Sequence, residues 1–410
     1  MQDAIPLTSA LWILVSAALV LLMVPGLALF YGGMSRSKNV LNMLMMNMVC
    51  LGLVPVVWVV VGYTLSSTGT NQWIGGFDNA FLIDVPLVAE DGLSSPLLGV
   101  FFALTFASIT PALISGAVAD RMSFRAWIVF VPVWLLLVFV PAWAWVFRPD
   151  VGFLTTRGSL DFAGGTVVHV AAGSASLALV MVLGRRRGWP SEPMPPHSLP
   201  LTMLGAGILW FGWFGFNAGS AFDVSAVTVQ AFANTFMAAG VAMLAWLLVE
   251  RIVDGHATSL GAASGIVAGL VGITPGAGFM GTWGAMGVGL FAGALCALAV
   301  RLKYRFGYDD ALDVVGVHLV GGLVGGILIG FFANSGVFGE SNPDADGVFA
   351  GGGGGLLLEQ IFANVFVMVF AFVVTYVIAR VLDALIGLRV AEDDERTGLD
   401  QSEHAETAYS

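Results

Sequence analysis

The nine residues DFAGGTVVH, Asp161–His169, decide how this chain is read, because their outline returns as DALDVVGVH at Asp310–His318. In each stretch an aspartate is followed eight residues later by a histidine, and nearly everything between is small or apolar. An ionisable group near a bilayer centre costs roughly 2.5–3.5 kcal/mol or more, so a repeated one points to a functional site. At helical rise, eight residues carry each histidine about 12 Å deeper than its aspartate.

The surrounding composition fixes the solvent. Of 410 residues, 58% are hydrophobic and only 10% charged, far from a soluble average. Eleven apolar runs are long enough to cross a hydrocarbon core as helices, at about 8–32, 40–64, 96–118, 126–147, 162–184, 199–221, 225–249, 258–273, 280–302, 312–333 and 357–386. The expected fold is an all-α polytopic membrane protein of eleven transmembrane helices. Lysines and arginines set its orientation. Arg36, Lys38, Arg121, Arg125, Arg185–Arg187, Arg251, Arg301, Lys303, Arg305, Arg380, Arg389 and Arg396 fall on one side if the N-terminus is outside and the C-terminus cytoplasmic. Only Arg148 and Arg157 break the pattern.

Asp161/His169 opens span five and Asp310/His318 opens span ten, one five-helix half apart, and the two spans start from opposite faces. That is the signature of two inverted five-helix repeats followed by a long C-terminal helix. Both histidines then approach the midplane. The expected organisation is one membrane domain, 1–388, and a cytoplasmic regulatory tail, 389–410, that carries the acidic block EDDE at Glu392–Glu395. The net charge of −11 says little about partners, since much of it lies outside the spans. Cys50 and Cys296 fall in spans and read as packing residues. The first span is too long, and lacks a basic leader, for a cleaved signal.

His169 and His318 are the two histidines within spans; His197, His256 and His404 lie in loops or the tail. Two imidazoles lining a narrow lumen could pass a proton or hydrogen-bond a small polar solute. The alternatives are two separate histidines satisfied by helix contacts, or a metal site short of a third ligand. Asp161 suits either an N-cap or pore-mouth electrostatics; Asp310 has the matching position, with Asp313 one turn further in. Phe102 and Phe106 share a helix face, and Phe216 and Ser220 reach the outer end of span six. Aromatic faces attract cations and a hydroxyl adds an acceptor, although such residues more often pack or sit at the interface. The GGGGG run at Gly351–Gly355 lacks the Lys-Ser/Thr of a phosphate loop and reads as a flexible connection.

At these residues the chain resembles the ammonium transporter (Amt/Mep/Rh) family, bacterial type. GLALFYGG, TFASITPALISGA, DFAGGTVVH, GWFGFNAGSA, DVVGVH and the tail GLRVAEDDERTGLDQSEHAETAY match in order, over essentially the whole chain. The resemblance implies a homotrimer with one pore per subunit in the inner (plasma) membrane, no enzyme activity, no cofactor, no metal and no nucleic-acid partner. It implies ammonium recruitment at Phe106, Phe147 and Ser220, a gate of Phe106 and Phe216, and a pore lined by His169 and His318. Asp161 becomes the acid beneath the vestibule, and Phe30, Tyr31 and Val314 belong to the inner pore. Family members usually close span four with a tryptophan in an HWxW-like motif. Here Phe147 stands in its position and Ala144 in that of the motif's histidine, while the loop to Asp161 is about two residues longer. Trp145 takes the recruiting role only if the helix register shifts.

The implied activity is transport: NH4+ is held, deprotonated, and NH3 conducted, with or without the proton. Methylammonium is the expected analogue substrate, and a PII signalling protein the expected partner at the cytoplasmic face. A cation pore would need rings of carbonyls or acids along the spans, and the sequence has none. The alternative from another class is an ammonium sensor or signalling scaffold acting through the tail. A membrane enzyme with histidine and aspartate on a metal lacks ligands.

Overall fold

The computed structural model describes residues 7–88, 95–338 and 345–409. Among them, eleven helices are long and apolar enough to cross a membrane, and there is no strand. They are α1 (Thr8–Met34), α2 (Val40–Ser67), α3 (Pro96–Ile114), α4 (Phe124–Val146), α5 (Gly165–Leu183), α6 (Leu199–Gly219), α7 (Ala226–Val253), α8 (Ser259–Gly276), α9 (Thr282–Phe306), α10 (Val315–Phe332) and α11 (Gly355–Ile386). Helix is the required form, because hydrocarbon offers no partner to a free backbone N–H or C=O. Side chains close several exposed ends: Ser123 accepts from the Ala126 N–H at 3.2 Å, and Thr258 from the Gly261 N–H at 2.8 Å.

The sequence boundaries shift where turns intervene. α3 stops at Ile114 rather than 118, because residues 115–121 break into turns that include Asp120 at φ +70°. That aspartate is 2% exposed and gathers Arg36, Asn39 and Arg186 on the basic face of the molecule. Arg186 also pairs with Asp309 at 2.8 Å. The two arginines that broke the charge pattern are both engaged on the opposite face. Arg148 donates to the Asn71 and Gly69 carbonyls, and Arg157 pairs with Glu359 at 2.9 Å while lying over the Phe362 ring.

α5 and α10 cross at the centre of the molecule through reciprocal glycines. A Cβ on Gly173 would sit 2.4 Å from the Leu319 backbone nitrogen, and one on Gly322 would sit 3.2 Å from that of Val170. Small residues at such crossings let two backbones approach within packing distance. The two halves of the chain therefore meet where each carries its histidine.

The segment after α11 folds back as two short helices, α12 (Glu392–Thr397) and α13 (Leu399–His404). Its contacts cap the start of α2: the Asn42 N–H donates to Asp400 and the Leu399 N–H donates to Asn39, each at 2.8 Å. Glu395 is 2% exposed and accepts from Arg389 at 2.6 Å and from the Arg187 N–H at 2.8 Å.

Candidate functional site

Each half presents its histidine through the same local device. Asp161 accepts from the backbone N–H groups of Gly164, Gly165 and Thr166 at 2.7–2.8 Å. Asp310 accepts from those of Val314 at 3.1 Å and Val315 at 2.7 Å. In both motifs the residues four and five positions after the aspartate are the donors, so each carboxylate satisfies helix-start groups that nothing else would reach. Gly164 makes the first turn possible: its φ of +101° is a left-handed conformation that residues with a Cβ rarely adopt. Asp313 is not one turn into a helix as the sequence suggested. It lies in the turn ahead of α10 at φ +64° and accepts from Lys303 at 2.6 Å.

The helices downstream of these aspartates begin as π-turns, Gly165–Val170 and Val315–Leu319, and this corrects the expectation of eight straight α-helical residues. A π-turn holds one extra residue and re-aims the side chains beyond it, a feature frequent at functional sites. Here it brings His169 and His318 together, with 3.3 Å between their Nδ1 atoms. Such a bond needs a proton on one Nδ1 and a lone pair on the other. Two neutral imidazoles so paired carry opposite tautomers, one exposing an Nε2–H donor and the other an Nε2 acceptor. His169 Nε2 is buried without a hydrogen-bond partner, and its ring stacks on Trp213 at 5.4 Å.

Both histidines line an otherwise apolar lumen of about 10 Å³ whose walls include Leu113, Val168, Trp213 and Phe216. Space of that order holds about one water-sized molecule. Toward the basic face, Tyr31, Val314 and Gly116 close on one another: a Cβ on Gly116 would meet the Tyr31 ring at 2.6 Å and Val314 Cγ2 at 2.9 Å. Tyr31 donates its hydroxyl to the Leu113 carbonyl, and the Phe30 ring lies 5.7 Å from it.

At the other end, the Phe106 and Phe216 rings pack against each other, with centroids 4.2 Å apart and planes tilted by 39°. Phe216 faces the lumen, while Phe106 lines a larger vestibule of about 300 Å³ on the face opposite the basic loops. Trp143, Phe147, Asp161, Ser220 and Phe222 share that vestibule. Ser220 donates its hydroxyl hydrogen to the Phe216 carbonyl at 2.8 Å, which leaves its oxygen lone pairs for a donor in the vestibule. Burial raises the Asp161 carboxyl above the ordinary carboxylate range, against the pull of its three N–H donors. Burial, with Asp313 beside it, lifts Asp310 to about 6 against the opposing charge of Lys303. Among the described residues, no group of three or more His, Cys, Asp or Glu could hold a metal ion.

The structure thus brings together Phe106, Phe147 and Ser220 around one cavity, and Phe216, His169 and His318 around the next. It separates Trp145 from both. That indole donates to the Trp73 carbonyl at 2.9 Å and packs on Phe366 and Phe370, so it lines neither cavity. Two residues further along a helix is about 200° around it, the opposite face. Two contributors escaped the sequence reading. Trp213 forms the wall behind His169, and Trp143 lines the vestibule 4.6 Å from Phe147. The four-residue spacing of Trp143 and Phe147 was the available signal for the second.

The chain matches the profile of the "Ammonium Transporter Family" over residues 11–409. It is 49% identical to an "Ammonium transporter" of Mycobacterium tuberculosis (strain ATCC 25618 / H37Rv), over 97% of this chain and 89% of that one. The crystal structure of Candida albicans Mep2 superposes with a TM-score of 0.88 at 31% identity, over 96% of this chain and 88% of that one. A solved "Sensor Amt Protein" gives a TM-score of 0.88 at 28% identity, over 97% and 98%.

Proposed function

The chain belongs to the ammonium transporter family, and from that membership we propose that it takes NH4+ from outside, deprotonates it and conducts NH3, with or without the proton, through the lumen of His169 and His318. The observation that carries this reading is the series of two cavities separated by the packed rings of Phe106 and Phe216. The vestibule suits a cation: it offers aromatic faces, the Ser220 oxygen and the Asp161 carboxyl. The lumen does not suit one, because an apolar wall cannot replace a hydration shell. Ammonia crosses at smaller cost, since one Nε2 acceptor and one Nε2–H donor replace part of its lost hydrogen bonding. Potassium has no proton to leave behind, so the same lumen rejects it.

The basic face is cytoplasmic in a plasma-membrane protein, so the vestibule opens outward. The assembly is a homotrimer with one pore per subunit, and residues 389–410 form a regulatory segment beside a PII docking face. Methylammonium is carried as an analogue. The sensor alternative is not favoured, because the chain is nearer in sequence to the mycobacterial transporter, at 49%, than to the sensor protein, at 28%.

Purified protein in liposomes tests the proposal. An ammonium pulse should give an ammonium-dependent current or an alkalinisation-linked flux, while potassium at equal concentration gives none. A potassium current of equal size would overturn it.

A further inference from the structure

The end of α4 and the residue that caps it send two aromatic side chains into the vestibule, and the one with the larger π surface is not Phe147. Trp143 precedes it by four residues, so the two rings are offset by only about 40° on one helix face and by about 6 Å along the axis. Their centroids are 4.6 Å apart. Trp143 also reaches the ring that closes the lumen, with its centroid 6.0 Å from that of Phe106. Among the described residues, Phe147 has no ring contact with Phe106. The back of the indole is fixed by Phe139 at 5.6 Å and Trp58 at 6.2 Å, which holds it as a wall.

We propose that Trp143, rather than Phe147, is the vestibule's principal cation-holding side chain and sets its affinity and size selectivity; this rests on the reading of the vestibule as the ammonium-recruiting site. An indole face attracts a cation more strongly than a phenyl face, and the attraction grows as water is excluded. Because Trp143 stands beside the Phe106–Phe216 pair, the strongest attraction acts deeper than the cavity mouth. There the ion shares a confined space with Ser220 and Asp161 and must shed more of its water. Ammonium and methylammonium fit that position, whereas longer alkylammonium ions are held poorly.

Two readouts test this in the full-length protein: concentration-dependent ammonium uptake in liposomes, and calorimetric titration of ammonium chloride into detergent-purified protein. Trp143→Leu should raise half-saturation and the dissociation constant about tenfold, with maximal rate kept within about threefold; Phe147→Leu should raise them about threefold or less. Trp143→Phe keeps the packing on Phe139 and Trp58 and should fall between wild type and Trp143→Leu. Adding Phe147→Trp to Trp143→Leu returns an indole one turn outward, and should recover affinity while relaxing discrimination against ethylammonium. A larger effect at Phe147 than at Trp143 in either readout, or a loss of maximal rate alone, would overturn the assignment. Binding that depends on Trp143 in a protein without flux would instead overturn the conduction reading and leave the assignment standing.

Discussion

The Asp161 and Asp310 motifs share a backbone plan and differ in what surrounds the carboxylate. Both aspartates bind the N–H groups four and five residues ahead, and both open a π-turn that delivers a histidine to one lumen. Asp161, however, lines the vestibule and holds a third N–H, from Gly164. Asp310 is sealed at 1% exposure, where Lys303 donates to its backbone carbonyl and Asp313 sits close by. An inverted repeat can thus preserve a folding device while only one copy keeps contact with a cavity. The shared part is structural; the difference is where function can reside.

Removing the carboxylates should separate the copies most strongly. Asp161→Ala strands three backbone donors and Asp310→Ala strands two, and each stranded donor costs about 1–3 kcal/mol where buried. Both variants should therefore melt well below wild type by differential scanning fluorimetry, with Asp161→Ala lower. A larger drop for Asp310→Ala would break the comparison.

Charge alone should matter on one side only. Asp161→Asn keeps an acceptor oxygen but removes the cavity's negative charge, so half-saturation for ammonium uptake should rise about three- to tenfold, the scale of a partly exposed charge contact. Asp310→Asn should leave half-saturation within about twofold of wild type. Equal shifts at the two positions would show that neither acts through the vestibule.

The smallest expected effect is a pH signature at Asp310. Its carboxyl titrates at about 6 in the folded protein, against about 4 in an unfolded chain. Between those values the folded state keeps a proton that the unfolded state has released. Stability through this group is therefore greatest below about pH 4 and declines as pH rises to about 6. The melting temperature of wild type should fall across that window more than that of Asp310→Asn, and identical slopes would contradict the burial argument.

Much of this was legible from the chain. Long apolar runs leave helix as the only economical form, so the eleven spans and the doubled aspartate–histidine motif stood out. The π-turns did not, because no residue pattern marks an extra residue in the first turn of α5 or α10. The vestibule wall was half legible. PAWAWVF, Pro141–Phe147, alternates aromatics on both helix faces, and only tertiary packing shows that Trp143 faces the cavity while Trp145 turns toward Trp73. The docking of Asp400 on Asn42 was invisible for another reason: its partner is a backbone N–H 358 positions away.

The two halves of the chain deliver a hydrogen-bonded histidine pair to a single small lumen, and under the proposed function that pair acts as one unit. A double-mutant cycle on ammonium flux tests it most directly, using His169→Ala, His318→Ala and both together. Groups that act as one unit are non-additive, so the double variant should be about as impaired as either single one, with a coupling of about 1 kcal/mol or more. Losses that simply multiply would mean that the histidines act independently, and the account would be wrong.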